Sequence, residues 1–194
     1  MAKPKRWPSE NTGQRHAIAN TARPAREYES RFDREQSMLK MLAIPIASVL
    51  LASMVTTLPI FSSGPILPPF GLLMFLSWRL MRPGLLPVWS GVPFGLMDDL
   101  FSGQPFGSAG LLWSLAMLIV EIIDSRAIWR DYMQDWLIAA LLITAVLLGG
   151  WWISGLAHAT PDPMILFPQI LLSILLYPLV VRICARLDSW RLAT

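Results

Sequence analysis

Two adjacent carboxylates, Asp98 and Asp99, stand in the stretch GLMDDLFSGQPFG (95–107), between two apolar runs. Acids at such a place can hold a cation or small ligand, cap the helix that follows, or face water. Nothing around them supplies the rest of a catalytic set. The chain has no Ser-His-Asp arrangement, no HExxH and no P-loop. Its two histidines, His16 and His158, lie far apart and read as loop residues without metal-ligand spacing. The single cysteine, Cys184, excludes an intramolecular disulfide and a multi-cysteine metal site. It lies near Arg182 and Arg186, which suits the reducing side of a membrane. No catalytic residue, metal or cofactor is expected.

The rest of the chain shows what must position the acids. It has 194 residues, of which 54% are hydrophobic and 15% charged. A soluble domain carries about 25% charged residues. The charge is also segregated, because nine of the sixteen Lys and Arg fall in the first forty residues. Residues 1–40 therefore read as a polar, basic cytoplasmic tail, partly disordered, attached to a membrane domain at 41–190. Within it, Glu27, Arg31 and Glu35 are spaced four apart, as on a short helix near 26–40 that could lie along the headgroups. A solvated linker fits the same residues. The net charge of +3 carries no zinc, helix-turn-helix or stacking-aromatic pattern, so nucleic acid is not the expected partner.

Six apolar segments follow, at about 41–61, 65–78, 85–100, 108–124, 136–156 and 164–181. A helix needs about 20 residues to cross a hydrocarbon core, so the second and third are short unless neighbours bury them. The arginines test the topology. With a cytoplasmic N-terminus and six crossings, Arg79, Arg82, Arg126, Arg130, Arg182, Arg186 and Arg191 all fall inside. Dropping the third segment would put Arg126 and Arg130 outside. The expectation is an all-α membrane protein, a bundle of about six transmembrane helices with both termini cytoplasmic. Trp78, Trp129, Trp136 and Trp190 then fall near inner boundaries as interface residues, while Trp89 and Trp113 pack between helices. Glu121 and Asp124 read as an interface ion cluster with Arg126 and Arg130.

In this frame the acids sit toward the outer end of the third span. SGQPFG reads as a tight turn in which Gly103 takes φ > 0. Gly107, Ser108, Ala109 and Gly110 form a small-residue face for close helix approach. The stretch is then a helix-turn-helix hairpin with an acid at its turn. A ligand or partner site remains the other reading, and the broken third segment suits a substrate-binding membrane component of a small-molecule transporter.

The residues of 68–110 resemble the MreD family of the bacterial rod-shape system. The resemblance is carried by PPFGLLMFLSW, by RLMRPG, and by the pattern Gly95, Asp99, Ser102, Gly103 and Gly107. The exit YPLVVRICARL, with Pro178, Arg182 and Arg186, extends it. It covers about 41–190 and leaves the polar tail outside. It implies a non-enzymatic scaffold of the cell-elongation complex. The implied partners are a bitopic MreC-type protein, the actin-like MreB filament, a RodA-type polymerase and a class B penicillin-binding transpeptidase. The implied fold is similar to the S component of energy-coupling-factor vitamin transporters, which gives the transporter reading its form. Asp99 matches the family's acid, whereas Asp98 is extra and is expected to be a tolerated solvent-side charge. Gly95, Asp99, Ser102, Gly103, Gly107, Gly110, Pro178 and Arg182 are the expected structural or partner-contact residues.

Overall fold

The structure, a computed structural model, describes residues 42–55, 67–102, 105–126, 131–157, 164 and 166–193. The readings made for the tail, Gly103, His158, Trp129 and Arg130 lie outside the described residues. The described chain is helical: α1 (Leu42–Val55), α2 (Phe70–Met81), a short 3-10 turn (Val88–Ser90), α3 (Gly91–Ser102), α4 (Ser108–Arg126), α5 (Tyr132–Ala157) and α6 (Leu166–Ala193). Among the described residues, α4, α5 and α6 are long and apolar enough to cross a membrane.

The long helices show why a membrane is the right solvent. Leu111, Leu115, Leu118 and Ile122 form an exposed stripe at i, i+4, i+7 and i+11 on α4, and Leu137 and Leu141 expose a similar face on α5. In water, apolar patches of this extent mark an interaction surface or a liability. In lipid they are the ordinary outer face of a bundle.

The short α2 has a different role. Its 12 residues rise only about 18 Å, less than a hydrocarbon core. Leu72, Leu73, Phe75, Leu76, Trp78 and Leu80 are all buried, so protein surrounds it on every side. A short helix is stable at membrane depth only if neighbours satisfy the polar groups at its ends. Gln169 of α6 donates to the Leu67 carbonyl (2.7 Å), just before α2 begins. Arg82, just past its end, donates to Asp188 of α6 (2.7 and 3.0 Å). The two helices therefore run side by side in the same direction, tied at both ends. Phe75 stacks on Trp113 of α4 at 5.2 Å and tilts against Phe94 of α3 at 5.5 Å.

Two tryptophans differ from the sequence reading. Trp78 is fully buried rather than at an interface, and its indole N–H donates to Ser48 of α1 (2.8 Å). Trp89 is 69% exposed rather than packed between helices. Periodicity within one helix does not reveal which side the neighbours take. α6 also continues well past residue 181, because Arg182, Arg186 and Arg191 extend from a helix still held to the bundle by Cys184 and Asp188.

Candidate functional site

α3 and α4 form a tight hairpin, and its closeness begins with glycine. A Cβ placed on Gly95 would lie 2.5 Å from the Ala109 carbonyl oxygen and from the Cα and N of Gly110. Gly91, one turn earlier, stands nearly as close to the backbone of Trp113 and Ser114, where an added Cβ would lie 2.8 to 2.9 Å away. Such contact brings the end of α3 directly over the start of α4. The residue before Ser108 is Gly107, so α4 has no side chain at its own N-cap position. Its first N–H groups point into protein without an intrahelical acceptor.

Asp99 supplies the missing acceptor from the neighbouring helix. It is only 2% exposed. Its carboxylate accepts from Gly107 N (2.8 Å), Ser108 Oγ (2.9 Å), Ala109 N (2.9 Å) and, at 3.4 Å, Gly110 N. The negative charge also meets the positive end of the α4 dipole. Both oxygens of this acid are engaged in holding the turn.

Gly107 itself adopts φ +96°, which only glycine takes at little cost. The sequence reading had assigned the positive φ to Gly103, which lies outside the described residues. Because open space surrounds the position where a Cβ would go, Gly107→Ala is expected to act through backbone strain alone. It should cost about 1–2 kcal/mol, read as a modest fall in the thermal midpoint of detergent-purified protein with its helix content unchanged.

Of the residues singled out in sequence, the structure joins Gly95, Asp99, Gly107 and Gly110 in this hairpin. Ser102 ends α3 with an exposed side chain, apart from the carboxylate network. Pro178 and Arg182 lie on α6. Pro178 has no N–H for the carbonyl four residues back. That carbonyl, of Ile174, accepts instead from the indole N–H of Trp136 on α5 (3.4 Å). Arg182 is exposed.

Asp98 does not face solvent, contrary to its sequence reading. Its carboxylate and the Ser53 hydroxyl of α1 converge over Gly71 of α2, where an added Cβ would meet Ser53 Oγ at 2.0 Å and Asp98 Oδ1 at 3.0 Å. Asp98 and Ser53 are hydrogen-bonded. Consecutive helical side chains point about 100° apart, so the two acids serve different neighbours: Asp99 turns to α4, and Asp98 to α1 and α2. Ser53 and Gly71 were missed in sequence; the only signal was a small residue in each of two apolar runs.

A separate charged cluster lies near the other end of α4, about 24 Å along the helix from the Asp99 turn. Arg79, 2% exposed on α2, pairs with both Glu121 and Asp124, the latter at 3.1 Å. The sequence reading had paired these acids with Arg126 and Arg130, but Arg126 is exposed. Asp188 binds Arg82 and Arg191 (2.7 Å each), and the Arg191 guanidinium lies 5.8 Å from the Trp78 ring centroid. A buried guanidinium needs this much compensation in a region without water. Among the described residues no group of His, Cys, Asp and Glu has the arrangement to hold a metal ion.

Compared with protein-family models, residues 35–187 match the one described as rod shape-determining protein MreD. No curated protein and no solved structure matches the chain.

Proposed function

Since the chain belongs to the MreD family of rod shape-determining membrane proteins, whose members are non-catalytic, we propose that it is a scaffold subunit of the bacterial cell-elongation complex. In this role it helps couple MreB filaments and an MreC-type bitopic protein to a RodA-type polymerase and a class B penicillin-binding transpeptidase. The observation that carries the reading is the family match itself, which runs from before α1 nearly to the end of α6. The geometry supports it. Asp99 spends its oxygens within the hairpin, and the long helices leave apolar faces for lipid or partner helices.

The proposed topology is six crossings with both termini cytoplasmic. It is supported by Arg79, Arg126 and Arg191, which stand in the last turns of α2, α4 and α6. Charge asymmetry of this kind orients membrane proteins. The proposed fold relationship is to the S component of energy-coupling-factor transporters. That relationship gives a second reading, a vitamin-type substrate-binding component, and a cavity of about 270 Å³ between α2, α5 and α6 is the observation in its favour.

Depletion and co-purification test the proposal. Cells depleted of the protein are expected to lose rod shape, and the chain is expected to co-purify with an MreC-type partner. Rod-shaped growth without it, or retention of a vitamin-sized ligand with no partner, would overturn the scaffold reading.

A further inference from the structure

A second cavity opens between α1, α2 and α6. Its walls include Ala47 and Leu51 of α1, Phe70 and Met74 of α2, and Leu187 and Trp190 of α6. Ala47 and Leu51 are exposed, so the cavity is a groove open along α1. The one hydroxyl in its wall is already engaged. Ser48 donates to the Pro45 carbonyl (2.8 Å) and accepts from the Trp78 indole N–H (2.8 Å). An occupant therefore meets little but hydrocarbon, and a polar ligand would lose its hydrogen bonds to water there. From Ile44 to Val55 the groove follows α1 for about 17 Å. That is close to the depth of one leaflet, half of a core about 30 Å thick.

Charge gathers at one end of the groove. Arg186 directly precedes Leu187 and stands one turn before Trp190, so on a helix it projects about 40° from Trp190. Arg182 lies a further turn back on the same stripe. Both are exposed, and among the described residues no acid pairs with either. Their neighbours Arg82 and Arg191 are instead neutralised by Asp188. Arg186 lies about 30 Å along α6 from Leu166, the depth at which a spanning helix leaves the hydrocarbon and meets phosphate.

We infer that this groove binds an anionic phospholipid, with one acyl chain lying along α1 and the phosphate held by Arg186 and Arg182. Shape, depth and charge agree on this occupant. An acyl chain needs an apolar channel that opens sideways to the bilayer and runs the depth of one leaflet. The volume of about 580 Å³ is of the size that holds small ligands. A helix of the same length and about 10 Å in diameter fills roughly 1,300 Å³, so a partner helix would ride on the groove rather than enter it. Guanidinium pairs with phosphate through two parallel N–H···O bonds. Two cations without acid partners disfavour a headgroup that carries its own ammonium. Trp190, 66% exposed, stands at the same end, and tryptophan rings favour the headgroup level. The inference depends on the membrane embedding of the family and not on the scaffold role.

The test is native mass spectrometry of the full chain released from detergent. It is titrated with phosphatidylglycerol, with phosphatidylethanolamine of identical acyl chains, and with glycerophosphoglycerol, the headgroup without chains. Phosphatidylglycerol is expected to bind on the order of tenfold tighter than phosphatidylethanolamine. Arg186→Gln is expected to weaken phosphatidylglycerol about fivefold and to narrow that preference. Ala47→Phe fills the groove from an exposed position and is expected to weaken both lipids on the order of tenfold. The basic tail at 1–40 is present in both variants, so a loss in either is assigned to the groove. Circular dichroism and the thermal midpoint check that both are folded. Equal binding of the two lipids, unchanged affinity in both variants, or glycerophosphoglycerol competing as well as the lipid would each overturn the assignment. So would an Ala47→Phe protein that keeps its lipid and loses an MreC-type partner, because the groove would then belong to a protein helix. Loss of the lipid assignment with co-purification intact leaves the scaffold reading standing, so the two fail separately.

Discussion

Asp99→Ala is expected to loosen the α3–α4 hairpin at a cost on the order of 3 kcal/mol or more. Losing an ordinary N-cap costs about 0.5–2 kcal/mol, with water replacing the lost acceptor. Here Ala109 and Ser108 are buried, so the freed N–H and O–H groups have no water to turn to. Asp99→Asn separates charge from shape. The amide keeps one acceptor oxygen, but its NH₂ group faces donors where the carboxylate accepted from Gly107 and Ala109. It is therefore expected to recover only part of the loss. Chemical unfolding in detergent micelles, followed by helix signal, measures the series. Limited proteolysis between α3 and α4 shows where opening begins. If Asp99→Ala unfolds at the wild-type midpoint and resists protease equally, the acid does not hold the turn. A ligand role for it would then return.

The contrast between the two acids shows what a linear reading can reach. The hairpin was legible because Gly95, Gly107 and Gly110 flag close backbone approach, and because an acid shortly before an uncapped helix invites a cap. The positive φ was assigned to Gly103, which lies outside the described residues, and no positive φ was assigned to Gly107, which carries one. A turn this short offers several glycines, and only the path of the chain decides among them. Asp98 was read as solvent-facing because its partners, Ser53 and Gly71, lie 45 and 27 residues away in other apolar runs. Neither residue carries a charge or a motif that would announce the contact.

The same limit explains the arginines. Their gathering at one side was visible as a topology pattern, since it depends only on sequence order. Their pairing was not. Arg79 reaches Glu121 and Asp124 because α2 is central and buried. Its 12 residues look like a weak membrane segment when judged by length alone. Burial by neighbours, which makes such a helix tenable, is a property of the assembled bundle.

Gly95→Ala is expected to be strongly damaging although it adds a single carbon. Two effects oppose each other. In an isolated helix, alanine is favoured over glycine by about 1 kcal/mol, so helix propensity alone forecasts a stabilised α3. Packing forecasts the reverse. The new methyl would meet the Ala109 carbonyl and the Gly110 backbone at 2.5 Å, against atoms that cannot rotate away. Relief requires moving α3 off α4, which lengthens the bonds from Asp99 to Gly107 and Ala109 at the same time. Overpacking alone costs typically 1–3 kcal/mol, and the coupled loss of the cap brings the expected total to about 3–5 kcal/mol. The coupling supplies the check. If both residues act through one hairpin, the double variant Gly95→Ala with Asp99→Ala should cost clearly less than the sum of the two, because the first change has already released what the second removes. A strictly additive cycle, or a Gly95→Ala protein as stable as wild type, would show that α3 and α4 do not meet as closely as this hairpin requires.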